Sequence, residues 1–560
     1  MDKKTILAFV LVGLIIFLWP IFNEKVVGIK SPARQKAVEQ SVKEQASSIQ
    51  RPDSEQLLKA DHFPPLRSSK SLPIHVNVPA ETLTVETNLY EGKLTNTGGG
   101  NIVSWKLKKY LTTEKNWIQL IPDSAKGDLN VAFDPSIDVS SIQFKTTLDS
   151  QWVENNINHR KIRYAQQFEG YGILEKELVF SDNSYDIKLR IIFSFAKQAA
   201  VRNVYLLQWM SGLSPTEKNI REETAYSEAK ALQGTEMLKT KSDNTGLRDG
   251  VTHWAAIHTK YFLVALIPDG FDARGAELKT DKIQLENQNG KFAWKRFGVG
   301  ISAPLETGKT TLHEFTVYLG PLDYLLLKEH NVQLEKVLNF GWSFIRPFSI
   351  AFMYVLKYLY KIVQNYGWAI VIFSILIKVL LYPLTKKSYD SMRQMQELQP
   401  KLKALQDKYK GDPQKLNAET MKLYKTHGIN PMGGCLPMLL QMPILFALFN
   451  LFRTTIMFRQ AGFLGLIKDL SSPDRIIPLG GSMALNVLPV LMGVTMFIQQ
   501  KKTVTDPKQK FMSYFMSVFM IYIFYNLSSG LNLYYFMFNI LTIAQDMIIK
   551  KHPVQESPKT

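Results

Sequence analysis

The sequence predicts an α-helical polytopic membrane protein, an N-terminal anchor plus a five-helix core with a cytoplasmic helical hairpin, that carries a large external antiparallel β-sandwich domain. Three observations predict it: long apolar runs near both ends, a central region of short alternating runs, and basic residues gathered beside the apolar segments. The 560 residues exceed one ordinary domain, and a mean hydropathy of -0.08 conceals a sharp division between polar and apolar stretches. The formal charge of +18 sits mostly next to apolar runs, where anionic headgroups and topology account for it, so direct nucleic-acid binding is not expected. The single cysteine, Cys435, excludes an internal disulfide and reads as a small packing residue between Gly434 and Leu436. The chain has no nucleotide loop and no metal-ligand spacing, so no cofactor and no metal are expected.

The first run, Ile6 to Phe22, follows Asp2, Lys3 and Lys4. Bulky Trp19, Pro20, Ile21 and Phe22 stand where a signal peptidase needs small residues, so residues 1–22 read as an uncleaved anchor with its basic end in the cytoplasm. Residues 23–80 are rich in Lys, Gln, Ser, Glu and Pro, too poor in apolar groups to offset chain entropy, and read as a flexible external tether. Residues 81–335 alternate with period two, as in Leu83, Val85, Thr87 and Leu89 and in "KIRYAQQF" and "YDIKLRIIFSF", with turn signals at Gly98-Gly99-Gly100 and Asp182-Asn183-Ser184. That pattern predicts the sandwich. Its candidate chemistry, His253, His258, Asp269 and Glu314, is scattered and offers no convergent acid and base, so no catalytic residue is assigned and the chain is not expected to be an enzyme.

Residues 336–365 include Lys357, Lys361 and Gln364 on one helical face, with Pro347 before and Gly367 after, which predicts an amphipathic helix lying in the membrane interface. The core, 366–549, opens with Lys378 inside the apolar run Trp368 to Leu384. A lysine so placed costs a few kcal/mol and faces either a hydrated cavity or, by snorkelling, the interface. Ser374 lies one turn earlier on the same face. The stretch 386–427 holds ten basic against five acidic residues, the strongest basic bias of any short loop, and is therefore cytoplasmic. Within it Met392, Met395, Leu398, Leu402 and Leu405 recur at three and four, Gly411-Asp412-Pro413 interrupts, and Leu416, Met421, Leu423 and Tyr424 resume. This describes an antiparallel helical hairpin, with Pro400 inside its first arm, suited to resting on lipid or receiving a partner.

Further runs follow at Ile429 to Phe452, Met483 to Ile498 and Phe511 to Ile549, the last divided by a turn at Ser528-Ser529-Gly530. Lys501, Lys502, Lys508 and Lys510 then fall inside, as does the basic tail 550–560, while "FLGLIKDL" in the loop from Arg453 to Gly481 reads as interfacial. Gln441, Asn486, Asn526, Asn532, Asn539, Gln545 and Asp546 are polar groups within spans, most of them serving interhelical hydrogen bonds. Beside them stand Met438, Met442, Phe446, Tyr534 and Tyr535, soft and aromatic groups that adapt to varied apolar partners.

The segments "KVLLYPLTKKSYDSMRQMQELQPKLKAL", "INPMGGCLPMLLQMPILFALFNLF", "LPVLMGVTMFIQQK", "TVTDPKQKFM" and "SSGLNLYYFMFNILTIAQ" resemble, in order and spacing, the YidC/Oxa/Alb membrane protein insertase family in its Gram-negative YidC form. The resemblance implies a groove open to cytoplasm and lipid, with Lys378 receiving the polar end of a client and Ser374, Gln441 and Thr542 beside it. It also implies a hydrophobic slide at Met442, Leu445, Phe446, Tyr534 and Tyr535. The family commonly has arginine at the position of Lys378, and Leu445 and Ser528 also depart from its best-known form. Implied partners are nascent membrane protein clients, membrane lipids, the Sec translocon and the ribosome or signal recognition particle receptor, with a working monomer. The implied location is the inner membrane of a Gram-negative bacterium, both termini cytoplasmic and the large domain periplasmic. The rival reading is a secondary transporter with a charged intramembrane site, which would bring an internal repeat that the five core segments lack.

Overall fold

The computed structural model describes residues 78–133, 137–195, 203–240, 246–287, 290–306, 308–428, 436–480, 483–503 and 507–551. The expected anchor, most of the tether and nearly all of the basic tail lie outside them. The chain divides into two compact units, meeting in sequence between Val337 and Leu338.

The first unit is all but entirely β. A four-stranded sheet runs in chain order through β1 (Thr82–Glu86), β2 (Tyr90–Thr95), β3 (Asn101–Leu111) and β4 (Trp117–Gln119). The second sheet has thirteen strands: β5 (Asn130–Ala132), β6 (Lys145–Glu154), β7 (Ile157–Phe168), β8 (Gly172–Ser181), β9 (Asp186–Phe195), β10 (Val204–Trp209), β11 (Glu228–Gln233), β12 (Glu236–Lys239), β13 (Leu247–His258), β14 (Phe262–Asp269), β15 (Ala273–Asn287), β16 (Gly290–Pro304) and β17 (Thr310–Pro321). Its order is β5-β10-β16-β15-β13-β14-β17-β9-β8-β7-β6, with β11 and β12 attached through β13. Pairing between the described strands is antiparallel, as in β8 with β9 and β15 with β16. The period-two reading accounts for the faces: along β9, Ile187, Leu189, Ile191, Phe193 and Phe195 are buried while Lys188 and Arg190 face outward.

The sheets close over a core of Trp105, Trp209, Trp254, Tyr90, Tyr164 and Tyr205. Trp105 stacks on Tyr90 at 3.9 Å, and its Nε1 donates to the Leu319 carbonyl oxygen at 3.1 Å, joining the small sheet to β17. The turn Gly98-Gly99-Gly100 needs glycine twice over. All three residues have positive φ, and a Cβ on Gly100 would approach the Tyr164 ring to 2.6 Å. Lys176 on β8 is fully buried, its ammonium donating to the Gly98 carbonyl at 3.0 Å, the Leu129 carbonyl at 2.7 Å and Asn101 Oδ1 at 3.2 Å. Short helices α1 (Ile220–Tyr226) and α2 (Tyr324–Lys328) complete the unit.

The residues considered for chemistry in this unit do not converge. His253 is exposed, and His258 is buried with Nδ1 2.9 Å from the Thr259 carbonyl oxygen. Asp269 and Glu314, far apart in sequence, face each other across β14 and β17, but each meets a cation: Asp269 lies 3.4 Å from Lys188 Nζ, and Glu314 lies 2.6 Å from Arg190 Nε. They form an exposed cross-strand charge cluster.

The second unit is helical: α3 (Arg346–Val363), α4 (Tyr366–Glu397), α5 (Gln399–Lys408), α6 (Pro413–Thr426), α7 (Leu436–Thr454), α8 (Val487–Thr503), α9 (Pro507–Phe524) and α10 (Ser529–Lys551). Helix α4 packs against α3, α7 and α10, and α8 packs against α9 and α10. Gly367 lets the start of α4 approach the loop after α7, where a Cβ would lie 2.1 Å from the Phe463 ring. Among the described residues Tyr366–Pro383 alone is a helix long and apolar enough to cross a membrane, and Tyr514–Phe524 is a shorter apolar helix.

Three local expectations are revised. Helix α4 continues through Pro383 to Glu397, so the expected hairpin begins, up to Glu397, as an extension of the Lys378 helix and its first arm continues in a separate helix. Pro400 lies in the first turn of a separate helix, α5, where its missing N–H costs nothing. The expected span at Met483 begins instead as a short strand, Met483–Leu485, paired with Ile477–Gly480. The helix starts at Val487 because Asp474 Oδ2 accepts the N–H groups of Val487 and Leu488 at 2.6 and 3.0 Å. The stretch "FLGLIKDL" is a tight loop, bridged Phe463 to Ile467, which holds Leu464 and Leu466 at 64% and 62% exposure. The break at Gly411-Asp412-Pro413 is where the reading placed it, with Asp412 Oδ1 capping Gln414 and Lys415 of α6. Lys401 Nζ and His427 Nε2, at opposite ends of the two arms, lie 3.1 Å apart, which makes the pair antiparallel.

Candidate functional site

Helix α4 presents two faces. Trp368, Ile375, Leu376, Val379, Leu380 and Tyr382 are exposed, and Ala369, Ile370, Phe373, Ser374, Ile377 and Lys378 are buried. The helical period thus puts the lysine on the side packed against α10. Lys378, 8% exposed, donates from Nζ to Thr542 Oγ1 at 2.7 Å and lies 4.7 Å from the centre of the Phe538 ring. The Thr542 hydroxyl in turn donates to the Phe538 carbonyl at 2.8 Å, so its lone pair is aimed at the ammonium. A neutral acceptor and an aromatic face leave the charge of Lys378 uncancelled by either neighbour.

Ser374 shares the buried face but not the contact. Its hydroxyl donates to the Ile370 carbonyl of its own helix at 2.8 Å. Gln441 is half-buried on α7, alongside Met442, Leu445 and Phe446. Of the apolar set Met442 is the most open, at 36% exposure; Phe446 packs on Trp342 with centroids 5.7 Å apart. Tyr534 and Tyr535 are not part of an exposed face. They are buried at right angles to each other, Tyr534 against Phe373 and Tyr535 against Phe524. Tyrosines carry enough apolar ring to be drawn into the helix contact, and both hydroxyls are buried without a partner among the described residues. In the hairpin Leu398 and Leu402 are buried, Met395 and Tyr424 half-buried, and Met392 lies on α4.

Sequence reading missed Phe538 and gave Gln545 and Asp546 no place at the site. Gln545, three residues after Thr542, is 7% exposed, and both its amide nitrogen and oxygen lack a partner among the described residues. Asp546, four residues after Thr542, is half-buried and acts electrostatically on Lys378. The signal was available in the i, i+3 and i+4 spacing from Thr542.

Two family models match the chain, the 60Kd inner membrane protein over residues 358–556 and the YidC periplasmic domain over residues 82–349. A membrane protein insertase YidC from Chlorobium limicola is 34% identical over 574 residues, covering 98% of this chain and 94% of that protein. The protein of the same name from Chloroherpeton thalassium is 33% identical over 584 residues, covering 98% and 96%. A solved structure of an active YidC insertase with its first transmembrane domain resolved is 21% identical, covers 84% of this chain and 94% of that one, and superposes with a TM-score of 0.37.

Proposed function

The chain belongs to the YidC family of membrane protein insertases, whose clients are nascent membrane proteins, and we propose that it moves short polar tails and apolar helices of such clients from the cytoplasm into the inner membrane through a hydrated cationic groove at Lys378. The observation that carries this reading is the buried ammonium of Lys378, in contact with the Thr542 hydroxyl and the Phe538 ring, in the apolar stretch Tyr366–Pro383. A cation so placed attracts an acidic or polar tail without binding it in fixed geometry, since an ammonium is a point charge and lacks the fork of a guanidinium.

The mechanism has three steps. A client docks on the hairpin formed by α5 and α6. Its polar tail then enters the groove and is held by attraction to Lys378, with Ser374, Gln441 and Thr542 offering hydrogen bonds. Its apolar segment passes along Met442, Leu445, Phe446 and the neighbouring aromatic residues into lipid. Burial of that segment contributes ~25 cal/mol per Å² of apolar surface, and the membrane potential acts on charges in the tail. The chain works as a monomer, alone or beside the Sec translocon, with the ribosome or signal recognition particle receptor as further partners. Both termini are cytoplasmic, and the sandwich is periplasmic. It consumes no nucleotide and carries no catalytic residue.

The test is insertion of a short single-span client with an acidic tail into proteoliposomes that contain this protein alone, scored by protection of the tail from added protease. Protection above that of empty liposomes, weakened by Lys378→Ala, is the expected result. No protection by a folded, correctly oriented preparation would sink autonomous insertion and leave a chaperone that depends on the Sec machinery.

A further inference from the structure

We propose that Asp546 is the internal counter-ion of Lys378 and sets how strongly the groove discriminates between client tails by charge, an inference that rests on Lys378 receiving the tail. Lys378 reaches across from α4 to Thr542 on α10 at 2.7 Å, and Asp546 follows Thr542 by four residues. That spacing places Asp546 on the same helical face, ~6 Å further along the axis toward the C-terminal end of α10. It is half-buried and exerts an electrostatic pull on the lysine. Thr542 and Phe538, which touch the ammonium, carry no charge, and Asp546 is the carboxylate whose charge acts on it.

The arrangement makes the groove a displaced pair rather than a lone cation. An acidic tail entering from the C-terminal end of α10 meets Asp546 before Lys378 and must compete with it for the ammonium. A basic tail is repelled by Lys378 but attracted by Asp546, which softens its rejection. Removing one member therefore does more than delete an attraction: it also takes away the counter-charge of the other. Lys378→Ala converts a cationic site, moderated by Asp546, into an anionic one, and its tail preference inverts. Asp546→Asn removes the opposing charge and sharpens the preference for acidic tails. The double variant is neutral and indifferent to tail charge.

The experiment uses full-length protein in proteoliposomes and three otherwise identical single-span clients whose tails carry two aspartates, two asparagines or two lysines. Asp546→Asn, nearly isosteric, is expected to raise insertion of the acidic tail about threefold and to lower that of the basic tail by a similar factor, the scale of one charge pair several ångströms apart in a hydrated site. Lys378→Ala lowers the acidic tail and raises the basic one, and Lys378→Ala combined with Asp546→Asn abolishes the order. Asp546→Glu, which keeps the charge, restores the parent order and guards against a folding defect. If Lys378→Ala reorders the tails while Asp546→Asn matches the parent, the counter-ion role is overturned. If Lys378→Ala lowers all three tails equally, it is the groove reading beneath it that fails.

Discussion

Lys176 offers a prediction that sets two sizeable effects against each other. Its ammonium is fully buried on β8 and donates to the Gly98 and Leu129 carbonyls and to Asn101 Oδ1, so one side chain stitches the glycine turn of the small sheet to the entry of β5. Burial pushes its pKa from 10.5 down to about 7, which corresponds to roughly 5 kcal/mol against the charged form. Replacement by Met removes that penalty and keeps the stem volume, but strands three acceptors at ~1–3 kcal/mol each. Below pH 7 the two effects nearly cancel, and the substitution is close to neutral. Between pH 7 and 10.5 the unfolded chain holds a proton on Lys176 that the folded protein has released, so the parent gains ~1.4 kcal/mol per pH unit that the variant lacks. At pH 9, after the weaker donation of a neutral amine is allowed for, Lys176→Met should be destabilised by about 2 kcal/mol, a fall of roughly 4–8 °C for a domain of this size. The assay is thermal unfolding of the full chain from pH 6 to pH 9, following the fluorescence of buried Trp105, Trp209 and Trp254. A variant as stable as the parent at pH 9, or a gap that does not widen with pH, would refute the reasoning.

Glu223 on α1 predicts the opposite slope. Its buried carboxylate accepts from the backbone N–H groups of Thr216 and Glu217, and burial pushes its pKa from 4.5 up to about 7. Between those values the folded protein holds a proton that the unfolded chain has lost, so stability falls as pH rises from 4.5 to 7, by about 3 kcal/mol at most; melting curves of Glu223→Gln should be flatter over that window. At the groove, Thr542→Val keeps shape but removes the acceptor 2.7 Å from Lys378, and is expected to cost ~1–3 kcal/mol in detergent-solubilised protein and to reduce insertion of acidic tails, whereas Thr542→Ser behaves as the parent. Equal insertion by the valine and serine variants would show that the hydroxyl does not orient the lysine.

Periodicity made the faces legible. Alternation along Ile187, Leu189, Ile191 and Phe193 marks the buried side of β9, and the 3.6 period puts Ser374 and Lys378 together on the buried side of α4. Both follow from local geometry and require no knowledge of a partner. Residues whose environment is set by a distant segment were not legible in the same way. Asp269 and Glu314 look scattered in sequence but sit opposite each other, because the register of β14 against β17 decides their neighbours. Tyr534 and Tyr535 look like an adaptable surface but are covered, because the packing of α10 decides which way they turn.

The contrast between Lys378 and Lys176, two of the buried lysines, shows what makes a charge visible in sequence. Lys378 stands in a run of apolar residues, where a cation is costly in any conformation, so the need for a partner could be inferred before Thr542, 164 residues away, was known. Lys176 stands between Glu175 and Glu177 in an alternating strand, where a lysine is ordinarily solvated, and its partners lie 78, 75 and 47 residues distant. Its burial results from the register of β8 and from the glycine turn that brings the Gly98 carbonyl to it, and neither leaves a trace in the local pattern. Asp546 is an intermediate case: visible as a charge near the end of an apolar helix, but interpretable only once α10 is known to lie against α4. The cost of a charge can therefore be read from its own segment, while what relieves that cost depends on the fold.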